Sequence, residues 1–218
     1  MSAREKTAWR GDLLIGPGWA RFVGRAGPAP SLACASTRIA VAMCSWIGVA
    51  CGDAAEPRRV HGVVVAADAT LAIDPVRLYS QVVFVDARFD ATQRIGAQRT
   101  SSADAIGRER AAHWRRAIYS LARDDEVARV VRTLLPNQGG SGEESAASSE
   151  KEAAEALREW ARAADVAAAC RRGATMGSAV RDSGFASLRQ CQATFLRLFG
   201  LTPALLLGLA DHRGAAPT

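Results

Sequence analysis

The residues best suited to recognition chemistry lie near the C-terminus. Arg189, Gln190 and Gln192 share one short segment of helical pattern, Ser187 to Phe199, with Leu188 ahead of them. An arginine fork matches the O6 and N7 acceptors of guanine, and a glutamine amide matches N6 and N7 of adenine. Arg171, Arg172, Arg181 and Arg197 are suited to phosphate oxygens, and the Ser187 hydroxyl could meet one too. From Arg171 to Gly200 there are five arginines against one acid, Asp182, a local charge of +4. The whole chain of 218 residues carries only +6, so positive charge is concentrated here.

Other chemistries find little material. A bound metal needs several imidazole or carboxylate donors brought together. The chain has three histidines, His61, His113 and His212, far apart in sequence. Five cysteines (Cys34, Cys44, Cys51, Cys170 and Cys191) are scattered through apolar surroundings with no CxxC pair and no histidine beside any of them. That pattern predicts buried, reduced thiols rather than nucleophiles or metal ligands. Gly16-Pro17-Gly18 resembles a phosphate loop only in its glycines, because proline removes an amide donor and no Lys-Ser/Thr follows. No enzyme activity, cofactor or metal is expected.

The elements that must position the basic segment can be read from periodicity. Leu188, Arg189, Gln192 and Arg197 fall between an apolar series, Cys191, Phe195 and Leu198 or Phe199, at i, i+4, i+7 spacing. Ser187 caps this helix and Gly200 ends it. A short helix, Met176–Asp182, precedes it across a turn at Ser183-Gly184-Phe185-Ala186, and Thr202-Pro203 opens another helix after it. Two short helices about a glycine turn describe a helix-turn-helix, whose second helix enters the major groove. Upstream, Glu150 to Arg172 reads as a long helix with Ala154, Leu157, Ala161, Ala164 and Ala168 on one face, stopped by Gly173. Pro136 to Ser149 is a flexible linker by composition. A helical pattern also covers Ala103–Leu121 and Asp124–Leu135.

The first hundred residues have a different character. Apolar, β-branched runs recur at Asp12–Ile15, Ala20–Val23, Ile39–Met43, Trp46–Ala50, Gly62–Ala66 and Gln81–Val85, separated by Gly, Pro and Asp. Short strands with such punctuation predict a small barrel or sandwich. If that barrel is a sensor, Trp19, Phe22, Arg38 and Trp46 are the residues to line a small-ligand pocket.

Gly184-Phe185-Ala186-Ser187, then Phe195, then Phe199-Gly200-Leu201-Thr202-Pro203 resemble the C-terminal signature of AraC-type (AraC/XylS) transcriptional regulators. The resemblance covers about thirty positions and makes Gly184, Phe185, Phe195, Phe199, Gly200 and Pro203 the motif core. The preceding helix, Leu157 to Gly173, resembles the one joining that family's two helix-turn-helix units. Two departures stand out. Pro136–Ser149 occupies the place of the first unit and is too polar to supply it. Ala193 stands where the family often carries an arginine, and Cys191 where it often has an aromatic residue.

The resemblance implies an α+β chain, with an N-terminal cupin-like β-barrel followed by an all-α helix-turn-helix domain. The expected division is 1–98 for a sensor or dimerisation barrel, 99–135 for a helical connector, 136–149 for the linker and 150–218 for the DNA-binding domain with a degenerate first unit. Double-stranded DNA is the implied partner, with a small-molecule effector and a homodimer as further ones. An alternative from another class is a sensor or interaction protein that has lost independent DNA binding. No apolar run approaches the ~18 to 20 residues of a membrane helix, and the N-terminus lacks the apolar core of a signal peptide. The expected location is therefore cytoplasmic.

Overall fold

The computed structural model describes residues 9–26, 33–43, 46–51, 58–69, 71–74, 79–86, 103–119 and 146–209. The expected helix Asp124–Leu135 and residues 136–145 of the expected linker lie outside them. Strands β1 (Arg10–Gly16), β2 (Trp19–Arg25), β3 (Ser36–Ala42), β4 (Ile47–Cys51), β5 (Arg58–Val60), β6 (Gly62–Val65), β7 (Leu71–Asp74), β8 (Tyr79–Asp86) and β9 (Ala103–Ile106) come first. Helices α1 (Arg108–Tyr119), α2 (Ala146–Arg171), α3 (Met176–Asp182), α4 (Leu188–Phe199) and α5 (Pro203–Leu206) follow, giving a mixed α+β chain.

Pairing is antiparallel throughout the two sheets. One runs β1-β2-β8-β3-β6-β9 and the other β5-β4-β7. Strands β3 and β8 are buried along nearly their whole length, which is why Ile39–Ala42 and Val82–Val85 read as unbroken apolar runs instead of alternating ones. Successive side chains on a strand point to opposite faces, so these strands build two cores. One face carries Phe22, Ala40, Ala42, Val82 and Phe84 against Ile47 and Val49 of the second sheet. The other carries Trp19, Ile39, Val41, Val64, Val83 and Val85 beneath Ala111, Trp114 and Ile118 of α1. Arg115 Nη1 donates to Met43 O at 2.9 Å and Arg21 Nη1 donates to Ile118 O at 3.3 Å, fixing α1 to the sheet.

Two sequence expectations need correction. Ala103–Ile106, read as the start of a helix, is a strand paired with β6, from Val65↔Ala103 to Gly62↔Ile106. An open sheet edge supplied hydrogen-bond partners that local propensity could not anticipate. The long helix begins at Ala146, inside the segment read as linker. Its buried side is not the alanine stripe. Ala156, Trp160, Ala163, Val166, Ala167 and Cys170 face the core, while Leu157 and Ala161 are exposed and Ala154, Ala164 and Ala168 half-buried. Alanine recurs on several faces of this helix, so its spacing selects none of them, and the single bulky residue, Trp160, sets the orientation.

The helices do not form a separate core. Trp9, Phe22 and Phe84 of the strand region join Trp160, Phe195, Leu198 and Phe199 in one apolar cluster. The Phe199 ring lies edge-on to Phe84 at 5.3 Å, to Trp160 at 5.2 Å and to Phe195 at 5.3 Å. Trp160 Nε1 donates to the wholly buried carboxylate of Asp86 at 2.6 Å. Backbone bonds add to this, with Ala35 N donating to Arg197 O at 2.6 Å and Trp9 N to Leu205 O at 3.3 Å.

Candidate nucleic-acid interface

Helices α3 and α4 are short and depend on their ends. The Thr175 side chain accepts from Ser178 N at the start of α3. The chain then turns through the buried Ser183 and through Gly184, whose φ of +73° a β-carbon would disfavour. Phe185 is buried, with the Arg162 guanidinium over its ring at 5.0 Å, which holds the turn against α2. At the start of α4 the Ser187 hydroxyl accepts from Gln190 N at 3.1 Å, and Gln190 Oε1 accepts from Ala186 N at 2.9 Å. This reciprocal arrangement satisfies Gln190 N, which the first turn leaves without an intrahelical partner, and the Ala186 amide just ahead of the cap. Gly200 closes α4 in the left-handed region, φ +67°, donating to Leu196 O at 2.8 Å. Pro203, buried, follows the Thr202 cap as the first residue of α5.

The faces of α4 divide sharply. Cys191, Thr194, Phe195, Leu198 and Phe199 are buried. Leu188 is 43% exposed, Arg189, Gln190 and Ala193 are exposed, and Gln192 is half-buried. The helix contains no acidic residue, so nothing on its outer face repels a polyanion. Burial pushes the Cys191 thiol up to about 11, helped by the neighbouring Cys170. Burial also raises Cys170, and it raises Cys34 despite the nearby Arg38 charge; the Cys34 thiol donates to Ser36 O at 3.4 Å. These three thiols are therefore held protonated.

The candidate contact residues do not all stand ready. Leu188 and Arg189 lie in the first turn of α4 and face outward. Gln190 is exposed, yet its amide oxygen is engaged in the helix cap. Ser187 is exposed with its hydroxyl engaged likewise. Arg197 forms an ion pair with Glu159 of α2, which draws it away from any phosphate. Arg171 ends α2, Arg172 follows it and Arg181 lies in the last turn of α3; all three are exposed.

The four residues expected to share a ligand pocket are not brought together. Phe22 and Arg38 are buried on the inner face of the large sheet. Trp19 lies on the opposite face, under α1. Trp46 is half-buried beneath the Arg59 guanidinium, 4.2 Å from its ring. Trp19 and Phe22 are three residues apart on one strand, an odd separation that forces opposite faces. Phe22 itself is packed edge-on to Trp9 at 4.7 Å. The sequence reading missed Asp86, Phe84 and Trp9, which tie the sheet to the helices. An acid directly ending the run Val82–Val85 was the visible signal for Asp86.

Among the described residues there is no group of three or more metal-ligating side chains, and no helix is long and apolar enough to cross a membrane. No family model matches the chain, and no curated protein matches it. Among solved structures it is similar to apo ToxT from Vibrio cholerae, at 9% identity over 92% of this chain and 100% of that one, TM-score 0.47. It is also similar to an RmlC-like cupin family protein with a double-stranded β-helix fold from Methanocaldococcus jannaschii, at 17% identity over 39% of this chain and 86% of that one, TM-score 0.31. A putative mannose-6-phosphate isomerase from Ralstonia eutropha matches at 16% identity over 36% of this chain and 88% of that one, TM-score 0.28. These scores lie below 0.5, so a functional assignment has to come from this chain's own residues.

Proposed function

We propose that the chain is a DNA-binding transcriptional regulator of the AraC type, with α3 and α4 as a helix-turn-helix and α4 as the helix that reads the major groove. The observation that carries this reading is the mounting of α4. Four of its residues, Cys191, Phe195, Leu198 and Phe199, are at most 1% exposed, while Leu188 and Arg189 project from a capped first turn into solvent. A recognition helix needs a fixed base and free N-terminal side chains. Arg189 suits a guanine, and Leu188 suits the 5-methyl group of a thymine. Arg171, Arg172 and Arg181 supply the phosphate contacts, and Gln192 is the second polar reader.

The strand region is then the sensor, a cupin-like barrel whose inner face bears Arg38 and Asp86. Its coupling to DNA runs through Asp86–Trp160 and Phe84–Phe199, contacts that join the inner sheet face to the base of the reading helix. An effector acts by favouring one packing at this junction over another, a shift in population without covalent chemistry. The protein works without cofactor or metal, in the cytoplasm.

A second reading is favoured by the sequence of Pro136–Ser149 and by the Arg197–Glu159 pair. A single unit with one of its arginines neutralised is the expected remnant of a regulator that keeps its sensor and has lost independent DNA binding. Mobility-shift titration with mixed-sequence duplex at several salt concentrations separates the two. Three arginine–phosphate contacts predict log K falling against log salt with a slope of about −3. A folded protein with no affinity at low salt rejects the first reading and supports the second.

A further inference from the structure

We propose that Ala193 of α4 selects a 5-methylpyrimidine, thymine or 5-methylcytosine, beside the guanine met by Arg189; this rests on the reading of α4 as the helix that enters the major groove. Arg189, Ala193 and Leu196 follow one another at i, i+4, i+7 on the outward side of α4, opposite Cys191, Phe195 and Leu198. Arg189 and Ala193 are exposed and Leu196 is half-buried. About one turn of helix separates Arg189 from Ala193, a rise of about 6 Å. Base pairs stack at ~3.4 Å, so these two side chains meet base pairs no more than about two steps apart.

The long polar side chains around Ala193 are directed elsewhere. Gln190 Oε1 accepts from Ala186 N at 2.9 Å, and Arg197 pairs with Glu159 of α2. Gln192 stands one turn past Leu188, on the line of the helix beside that of Arg189 and Ala193. Ala193 itself offers neither donor nor acceptor, only a methyl group exposed to solvent. The apolar group on the major-groove edge of B-DNA is the C5-methyl of thymine, which alanine meets by contact. A side chain of one carbon also lets the helix backbone come close to that edge. Cytosine lacks the methyl, and α4 holds no carboxylate to accept from cytosine N4. What α4 recognises at this step is therefore the methyl group and not the base that carries it. 5-Methylcytosine presents the same group in the same place. Burying one methyl corresponds to roughly a fourfold gain in affinity.

The test is a fluorescence-anisotropy titration of the full chain, at a fixed low salt concentration, against a duplex selected from a random-sequence pool. Each thymine is replaced in turn by deoxyuridine, which lacks only the methyl group. One replacement within about two base pairs of the guanine whose selection depends on Arg189 should weaken binding roughly fourfold. At that position 5-methylcytosine paired with guanine should bind roughly fourfold tighter than cytosine paired with guanine. Ala193→Arg should abolish both differences, and Leu188→Ala should leave them in place. Equal affinity for thymine and deoxyuridine at every such position, with the duplex still bound, overturns the methyl assignment and leaves the helix-turn-helix reading standing. So does a 5-methylcytosine no better than cytosine. Differences that survive Ala193→Arg, or that vanish in Leu188→Ala, take the role away from Ala193 and overturn the proposal. A folded chain that binds no duplex rejects both this proposal and the reading beneath it.

Discussion

The contact between Phe84 and Phe199 makes the strand region and the helices one folded body, and a double-mutant cycle measures it. Phe199→Leu keeps most of the apolar volume and removes three ring-edge contacts, to Phe84, Trp160 and Phe195. At about 0.5–1.5 kcal/mol for each aromatic pair, the expected cost is roughly 2–4 kcal/mol. Phe84→Leu loses two contacts, to Phe199 and, at a longer 6.4 Å, to Trp9, for roughly 1–2 kcal/mol. The shared pair is counted in both single variants, so the double variant should cost less than their sum by about 1 kcal/mol. Chemical denaturation followed by tryptophan fluorescence and by far-ultraviolet circular dichroism gives all four free energies. The two probes should also give coincident transitions, since Trp160 of the helices and Trp9 of the strand region share one cluster. A coupling below ~0.3 kcal/mol, the ordinary scatter of independent sites, would mean that the rings do not touch and that α4 is not mounted on the sheet.

Two further outcomes follow from the local chemistry of α4. Ser187→Ala removes the acceptor for Gln190 N and should cost about 1 kcal/mol in the same denaturation assay; Ser187→Asp should keep the cap and its stability while weakening DNA affinity, because it places a negative charge beside phosphate. A Ser187→Ala variant as stable as the wild type would show that the cap is not formed. The Cys191 thiol loses its proton at about 11 in the folded chain against 9.0 for an ordinary cysteine. Stability from this group is complete below pH 9 and is lost as pH rises from about 9 to about 11, since only the unfolded chain ionises there. Two pH units correspond to roughly 3 kcal/mol, and Cys191→Ala should lose less stability across that range than the wild type.

The sequence made the strands legible wherever β-branched residues met Gly or Pro punctuation. All six expected runs fall on observed strands, because β3 and β8 are covered on both faces and show it as unbroken apolarity. The short strand Ala103–Ile106 was not legible, since its partner β6 lies about forty residues away. The α4 segment was the clearest of all, because its cap, its apolar series and its closing glycine agree with one another. Ser187 was legible as the cap of α4, whereas the other half of the pattern, a glutamine three residues later whose Oε1 accepts from Ala186 N, went unread. The pocket expectation ignored the parity of Trp19 and Phe22. The docking of the helices on the sheet was out of reach, because Phe84 and Phe199 gain meaning only when the fold brings residues 115 positions apart into contact. The bland alanine pattern of α2 hid which of its sides is buried until Trp160 could be placed.

The central claim, that the first turn of α4 reads base edges, is tested most directly by selecting bound duplexes from a random-sequence pool with the wild type and with Arg189→Ala. The account predicts an enriched motif for the wild type that contains an invariant guanine, and a motif from the variant that relaxes at that guanine alone, with about 1–3 kcal/mol of discrimination lost there. Enrichment of the same motif by both proteins, or of none by the wild type, would contradict it.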